Sequence, residues 1–167
     1  MKHTIAALVE NKAGVLARIS GLFARRGFNI DSLAVGPTEN PNISRITIIV
    51  DGDDYIAKQV TKQLSKLVDI IKVLDLSDNE ITVRELVLIK VGVNEKKRNE
   101  IIDIAKIMDC DIVDISHTSL MIEFDDRPDR VDLLINLLSK YEILEIARTG
   151  AIALQKGAAT VSSVEKP

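Results

Sequence analysis

The segment Asn11–Leu16 contains the residue types best suited to holding a small ligand. It lies where an apolar run, Thr4–Val9, ends and a helical pattern begins. The first amides of a helix have no partners within the helix and carry the positive end of its dipole, so a carboxylate can dock against them. Gly14 keeps side-chain bulk out of the way, and the Asn11 carboxamide offers both a donor and an acceptor. This combination suits the two ends of a zwitterionic amino acid.

The same residues also fit a simpler interpretation, in which Asn11 caps the helix and Gly14 only permits a tight turn. Loops of this kind are common, and the spacing alone favours the simpler interpretation. Asn29 has two interpretations as well. It is either a second polar contact across a subunit interface or a residue that tolerates the unusual backbone after a helix stop at Gly27. The local patterns therefore leave ligand binding and turn formation open.

No other group of residues in the sequence forms a catalytic or metal-binding set. Asp51–Asp54 runs directly into a helical pattern instead of continuing as a calcium loop, so we expect a turn with an Asp N-cap. His3 and His117 are far apart and belong to no cluster with metal-ligand spacing. Cys110 lies between two aspartates, which raise the pKa of a thiol, and is expected to be structural. We therefore expect a non-catalytic chain that holds neither metal nor cofactor.

Composition excludes several classes of partner. The 167 residues include 22 basic and 25 acidic side chains, a net charge of −3, and only 3% aromatic residues. Such a chain offers neither the positive field nor the stacking platforms that nucleic acids require. No stretch approaches the roughly 20 apolar residues of a transmembrane helix, and no secretory signal is visible. We expect a cytoplasmic protein that binds neither nucleic acid nor membranes.

The hydrophobic pattern predicts an α+β fold made of two ferredoxin-like βαββαβ modules. Each half has the order strand, helix, strand, strand, helix, strand, and a polar break at 77–80 separates the halves. The prediction assigns the first module to residues 1–77 and the second to residues 82–157, followed by a flexible tail at 158–167. The strands predicted in the two halves are Thr4–Val9, Ile30–Val35, Ile43–Val50, Ile70–Leu76, Leu86–Val93, Ile112–Ile115, Leu120–Phe124 and Ile143–Ala147.

The run from Leu8 to Ile19 resembles the opening of an ACT domain, an amino-acid-binding regulatory module. Further segments are similar to the small subunit of acetohydroxyacid synthase, also called acetolactate synthase, and the resemblance covers about residues 2–157. These segments are Leu22–Leu33, Ser44–Arg45, Lys62–Val68, Arg84–Leu86 and Ala147–Gly150.

The resemblance implies an N-terminal ACT domain, a C-terminal ACT-like domain and a cytoplasmic homodimer that associates with a separate catalytic subunit. That partner carries thiamine diphosphate, magnesium and FAD. The small subunit raises its activity and confers feedback inhibition by valine, or by leucine or isoleucine, in branched-chain amino acid biosynthesis. An alternative is a free-standing ACT-type sensor that regulates another enzyme or a transcription factor. The effector contacts implied are Asn11, Ala13, Gly14, Val15 and Leu16 of one protomer, with Asn29 and Ile30 of its partner.

Overall fold

A computed structural model describes residues 1–163, which fall into two units. One unit comprises residues 1–82 together with the chain from Ala151 onward, and the other comprises residues 83–150. The first unit contains β1 Lys2–Glu10, α1 Val15–Arg26, β2 Ile30–Pro37, β3 Ile43–Asp51, α2 Asp54–Leu64 and β4 Ile70–Asp75. Then follow β5 Ile81–Gly92, α3 Glu95–Met108, β6 Asp111–Ile115, β7 Ser119–Asp126, α4 Pro128–Leu138, β8 Glu142–Arg148, β9 Ile152–Gln155 and a 3₁₀ helix, Val161–Ser163.

In the first unit, an antiparallel sheet of order β2-β3-β1-β4 packs one face against α1 and α2. Alternation along β1 directs Ile5, Ala7 and Val9 into this core, which is aliphatic apart from Phe23 and its edge-on neighbour Phe28. Helix α1 buries one stripe, including Phe23, and ends at Gly27, whose φ of 67° is left-handed. The core thus fixes where both ends of α1 lie relative to the sheet.

The second unit repeats the same order of elements with a sheet of order β6-β7-β5-β8, and the long strand β5 also pairs with β9. Its central strand β5 directs Val87, Ile89 and Val91 into a core closed by α3 and α4. Helix α3 is capped by Asn94, whose side chain accepts a hydrogen bond from the Lys97 amide. The predicted fold class, two ferredoxin-like α+β modules, is confirmed.

The chain from Ala151 lies against the first sheet. Ala151 N donates to Ser32 Oγ at 2.9 Å, and an Arg45 guanidinium nitrogen donates to Ala153 O at 2.7 Å. The 3₁₀ helix contacts β1 and β4, and its first residue, Val161, is buried. The sequence prediction placed residues 151–157 in the second module and called 158–167 flexible. The structure gives 151–163 to the first unit, and residues 164–167 lie outside the described part of the chain.

Small residues explain why the sequence did not reveal this segment. Alanines and Gly157 dominate it, so its one short strand, β9, lacks a clear apolar alternation. Within residues 1–163, no helix combines the length and apolar character needed to cross a membrane.

Candidate functional site

Gly14 is the residue at which the loop becomes helix. Its φ of 88° lies in the left-handed region that glycine adopts without a steric penalty, and its carbonyl accepts the amide of Arg18 at 3.0 Å. No side chain caps the N-terminus of α1. The amides of the first turn are therefore open to an acceptor from outside the helix.

Asn11 holds the loop in place instead of capping α1. Its side-chain Nδ2 donates to Pro41 O at 2.8 Å, and its backbone N donates to Asn42 O at 2.8 Å. Both acceptors lie in the turn between β2 and β3, so this turn fixes the start of the loop. The interpretation of Asn11 as a helix cap is wrong, because the N-cap position belongs to Gly14.

The remaining loop residues differ in their exposure to solvent. Val15 is 4% exposed and packs in the core of the first unit, whereas Leu16 is 43% exposed. Ala13 and Gly14 are exposed as well. Val15 therefore anchors the helix start from within the core, and the surface next to the open amides is formed by Ala13, Gly14 and Leu16.

A buried carboxylate, Asp69, lies beneath the loop just before β4. Arg18 Nε donates to Asp69 Oδ2 at 2.5 Å, and Lys12 Nζ lies 3.4 Å from Asp69 Oδ1. The Asp69 backbone carbonyl also accepts the Glu10 amide at 2.9 Å. The hydrogen bond from Arg18, followed by that from Lys12, lowers the pKa of the Asp69 carboxyl against the opposing effect of burial. Asp69 thus connects the end of β1, the loop and the first turns of α1.

Arg18 also brings positive charge to the helix start. A Cβ built on Gly14 would lie 3.0 Å from one of the Arg18 guanidinium nitrogens. A side chain at position 14 would therefore require the guanidinium to move by a few tenths of an ångström. The sequence prediction missed Arg18 and Asp69, because they lie 51 positions apart and no local pattern connects them.

Asn29 and Ile30 lie at the other end of α1. Asn29 is exposed and its Nδ2 donates to Asp31 Oδ1 at 3.0 Å, while Ile30 is partly buried against the core. The left-handed residue after α1 is Gly27; Asn29 does not have a positive φ. The interpretation of Asn29 as a residue needed for unusual backbone is therefore wrong.

The strand register shows how far Asn29 and Ile30 lie from the loop that begins at Asn11. Ile30 pairs with Val50, which pairs with His3 near the start of β1, whereas Asn11 follows Glu10 at the end of that strand. Seven residue steps from His3 to Glu10, at about 3.3 Å each, amount to about 23 Å. One chain therefore does not bring Asn29 and Ile30 to the loop, and a joint site requires a second copy.

His3 is the most buried titratable side chain outside this loop. Its Nδ1 lies 3.2 Å from Ser77 Oγ, and carboxylate oxygens of Asp54 and Asp75 lie at 3.7 and 3.8 Å from the ring. Within residues 1–163, no group of three or more His, Cys, Asp or Glu side chains is arranged to hold a metal ion. His3 belongs to a polar cluster at the start of β1, and its buried Nε2 has no hydrogen-bond partner within residues 1–163.

Two further candidates from the sequence have structural roles. Asp53 caps α2 by accepting the Ile56 amide at 2.9 Å, which confirms the predicted turn with an Asp N-cap. Burial raises the pKa of the Cys110 thiol to about 11, and the flanking aspartates add to this shift against the effect of Arg130. The predicted direction of the Cys110 pKa shift is confirmed, although its largest cause is burial.

Both halves of the chain match models of known protein families. The family model described as "AHAS small subunit-like ACT domain" matches residues 5–72, and the one described as "Small subunit of acetolactate synthase" matches residues 84–157. The chain is 51% identical to the probable acetolactate synthase small subunit of Archaeoglobus fulgidus over 157 residues, covering 94% of this chain and 98% of that one. It is 44% identical to the acetolactate synthase small subunit of Mycolicibacterium smegmatis over 155 residues, covering 93% and 91%. The crystal structure of the acetolactate synthase small subunit from Thermotoga maritima matches with a TM-score of 0.86 and 41% identity, covering 95% and 99%.

Proposed function

This chain belongs to the family of acetolactate synthase small subunits, and from that premise we propose that it is the non-catalytic regulatory subunit of an acetolactate synthase. It raises the activity of a separate catalytic subunit in the cytoplasm and makes that activity sensitive to valine, or to leucine or isoleucine. Thiamine diphosphate, magnesium and FAD belong to the catalytic partner. The observation that carries the effector part of this proposal is the uncapped start of α1 at Gly14.

The effector carboxylate binds the open amides at the start of α1. The helix dipole and the Arg18 guanidinium both favour negative charge there, while the Asn11–Pro41 hydrogen bond fixes the loop. Leu16, partly exposed beside the amides, offers apolar contact to a branched side chain. A single chain thus supplies a half-site that holds one end of the ligand.

A second copy of the chain completes the site. Asn29 has an exposed carboxamide, and Ile30 offers apolar contact, but both lie about 23 Å from the loop of their own chain by strand register. In a homodimer they meet the loop of the partner protomer, and the ligand bridges the two chains. Binding of the ligand then stabilises one relative orientation of the two protomers.

Feedback inhibition follows if this orientation favours a less active state of the catalytic subunit. A ligand shifts a conformational equilibrium only by the difference in its affinity for the two states. The ligand contacts both protomers at once. Its affinity is therefore much higher when the two half-sites face each other than when they are displaced. The effector therefore acts on catalysis through the geometry of the dimer.

Calorimetry with L-valine on Gly14 variants tests the effector site. Gly14→Asp places a carboxylate against the carboxylate of the ligand, while Gly14→Asn has nearly the same shape and backbone requirement without the charge. We expect Gly14→Asp to weaken binding at this site far more than Gly14→Asn does. Equal affinity at this site in both variants would show that the carboxylate does not bind at the start of α1.

An activity assay tests the regulatory role itself. A catalytic acetolactate synthase subunit is assayed alone, with this chain, and with this chain plus L-valine. We expect the chain to raise turnover and L-valine to reverse that rise. Loss of the L-valine effect in Gly14→Asp, with activation retained, would separate effector binding from subunit association. No change of turnover on adding the chain would refute the proposed function.

A further inference from the structure

A groove of about 500 Å³ opens on the face of the first sheet opposite α1 and α2. Leu8 and Arg45, paired across β1 and β3, form part of its floor, and the chain from Leu154 to Ser162 forms one wall. Its volume lies in the range typical of small-molecule sites. The groove belongs to the first unit alone and involves none of the residues at the start of α1.

Arg45 brings a positive charge to this groove without a compensating carboxylate. One guanidinium nitrogen donates to Ala153 O at 2.7 Å, and among residues 1–163 Arg45 makes no ion pair. Burial lowers the pKa of the Arg45 guanidinium. The guanidinium has further N–H donors in a planar fork that suits a carboxylate.

Gln155 brings an unused acceptor to the same groove. Its side-chain Oε1 is buried and accepts no hydrogen bond within the described part of the chain. Buried polar atoms in proteins almost always have a partner, so this atom is suited to receive a donor from a ligand. Gln155 lines the groove, and its soft terminal torsion has to rotate to bring the oxygen to a ligand there.

These groups match the two ends of an amino acid. We propose that the groove is a second amino-acid site, which takes an α-amino acid with a short branched aliphatic side chain. Arg45 binds the carboxylate, and Gln155 Oε1, together with the Glu39 carboxylate at the rim, receives the ammonium group. Leu8 and Ile43 contact the aliphatic side chain. Each chain forms this site by itself, and the site does not depend on the proposed effector loop.

The test is calorimetry with L-valine on the full chain carrying Gly14→Asp, which removes the loop site from the measurement. We expect one L-valine per chain in this background. Adding Gln155→Leu or Arg45→Gln should weaken L-valine binding by about tenfold or more, because each removes the side-chain group that binds the ammonium or the carboxylate. The oxo acid with the same side chain, 3-methyl-2-oxobutanoate, should bind at least about tenfold more weakly than L-valine, because it lacks the ammonium group.

Gln155→Leu also distinguishes a loss of binding from a loss of folding. It removes an acceptor that has no partner within residues 1–163, so the thermal midpoint of unfolding should stay the same or rise while binding is lost. Absence of L-valine binding in Gly14→Asp, unchanged binding after Gln155→Leu and Arg45→Gln, or equal binding of the oxo acid would each overturn the second site. Failure of the loop site appears separately, as identical stoichiometry in wild type and Gly14→Asp.

Discussion

Arg18 and Asp69 form a hydrogen bond of 2.5 Å between Nε and Oδ2, and the same guanidinium covers Gly14. The Asp69 side chain is buried, while Arg18 is partly exposed. This pair therefore connects the start of β4 to the helix terminus that we propose as an effector half-site. Its role is to position the loop, because Asp69 itself lies beneath the surface that a ligand would contact.

Asp69→Asn should loosen this loop. The amide keeps the shape of the side chain but loses the charge that attracts Arg18 and Lys12. We expect a lower thermal midpoint and a weaker affinity of the loop site for L-valine by on the order of tenfold, the scale seen when a residue that orients a binding group is removed. Calorimetry on variants lacking Gln155 Oε1 isolates the loop site. Unchanged affinity there would show that the loop is positioned without Asp69.

The contribution of Asp69 should also depend on pH. Its pKa is lowered in the folded protein, chiefly by Arg18, so its contribution to stability is present above the unfolded pKa of about 3.9 and is lost as pH falls through the folded pKa. We expect the difference in thermal midpoint between wild type and Asp69→Asn to be constant at pH 5–7 and to shrink in stronger acid. A difference that grows in acid would contradict this linkage.

Truncation of the two adjacent residues Val15 and Leu16 should affect different properties, stability in one case and ligand binding in the other. Val15→Ala removes a core side chain and should lower the free energy of unfolding by about 2 kcal/mol. Leu16→Ala, at an exposed position, should change it by no more than about 0.5 kcal/mol but should weaken L-valine binding at the loop. Urea unfolding and calorimetry on both variants check this. A strong loss of stability in Leu16→Ala would place Leu16 in the core instead.

Glu85 and Arg148 bring together two short segments of the second half that resembled the family. Arg148 donates from Nε and from a terminal nitrogen to the two Glu85 oxygens, each at 2.8 Å. Glu85 is buried but Arg148 is partly exposed, so we expect Arg148→Met to lower the free energy of unfolding by about 1–3 kcal/mol. The matched control is the double variant with Glu85→Gln, which should lose less than the sum of the single variants. Additive losses would contradict a direct interaction.

Cys110 should react slowly with thiol reagents in the folded protein. Burial raises its pKa to about 11, so the thiolate fraction stays very small near pH 8 and increases only as pH approaches that value. Urea should accelerate the reaction by exposing the thiol. A colorimetric disulfide reagent measures both rates, and a rapid reaction of the folded chain at pH 8 would contradict the raised pKa.

Sequence patterns were sufficient for the fold because its strands and helices bury continuous aliphatic stripes. Periodicity placed α1 and the strands on either side of it, and the turn before α2 followed from the Asp residues. The same information could not distinguish Asn11 as a cap from Asn11 as an anchor, because the Pro41 carbonyl it binds is 30 positions away. It also could not find Asp69, a single carboxylate whose importance comes only from its partners in the folded chain.

Alternation along the first sheet directs Ala6 and Ile49 away from the helices, yet both are buried, and the 3₁₀ helix at Val161 contacts the strands on that side. A ribosome makes those strands long before it reaches Val161. The nascent chain therefore carries an uncovered apolar sheet face until Val161 has been translated. Messages truncated shortly after codon 150 should yield polypeptides that aggregate or recruit chaperones, although every helix and strand of the first βαββαβ module is already encoded.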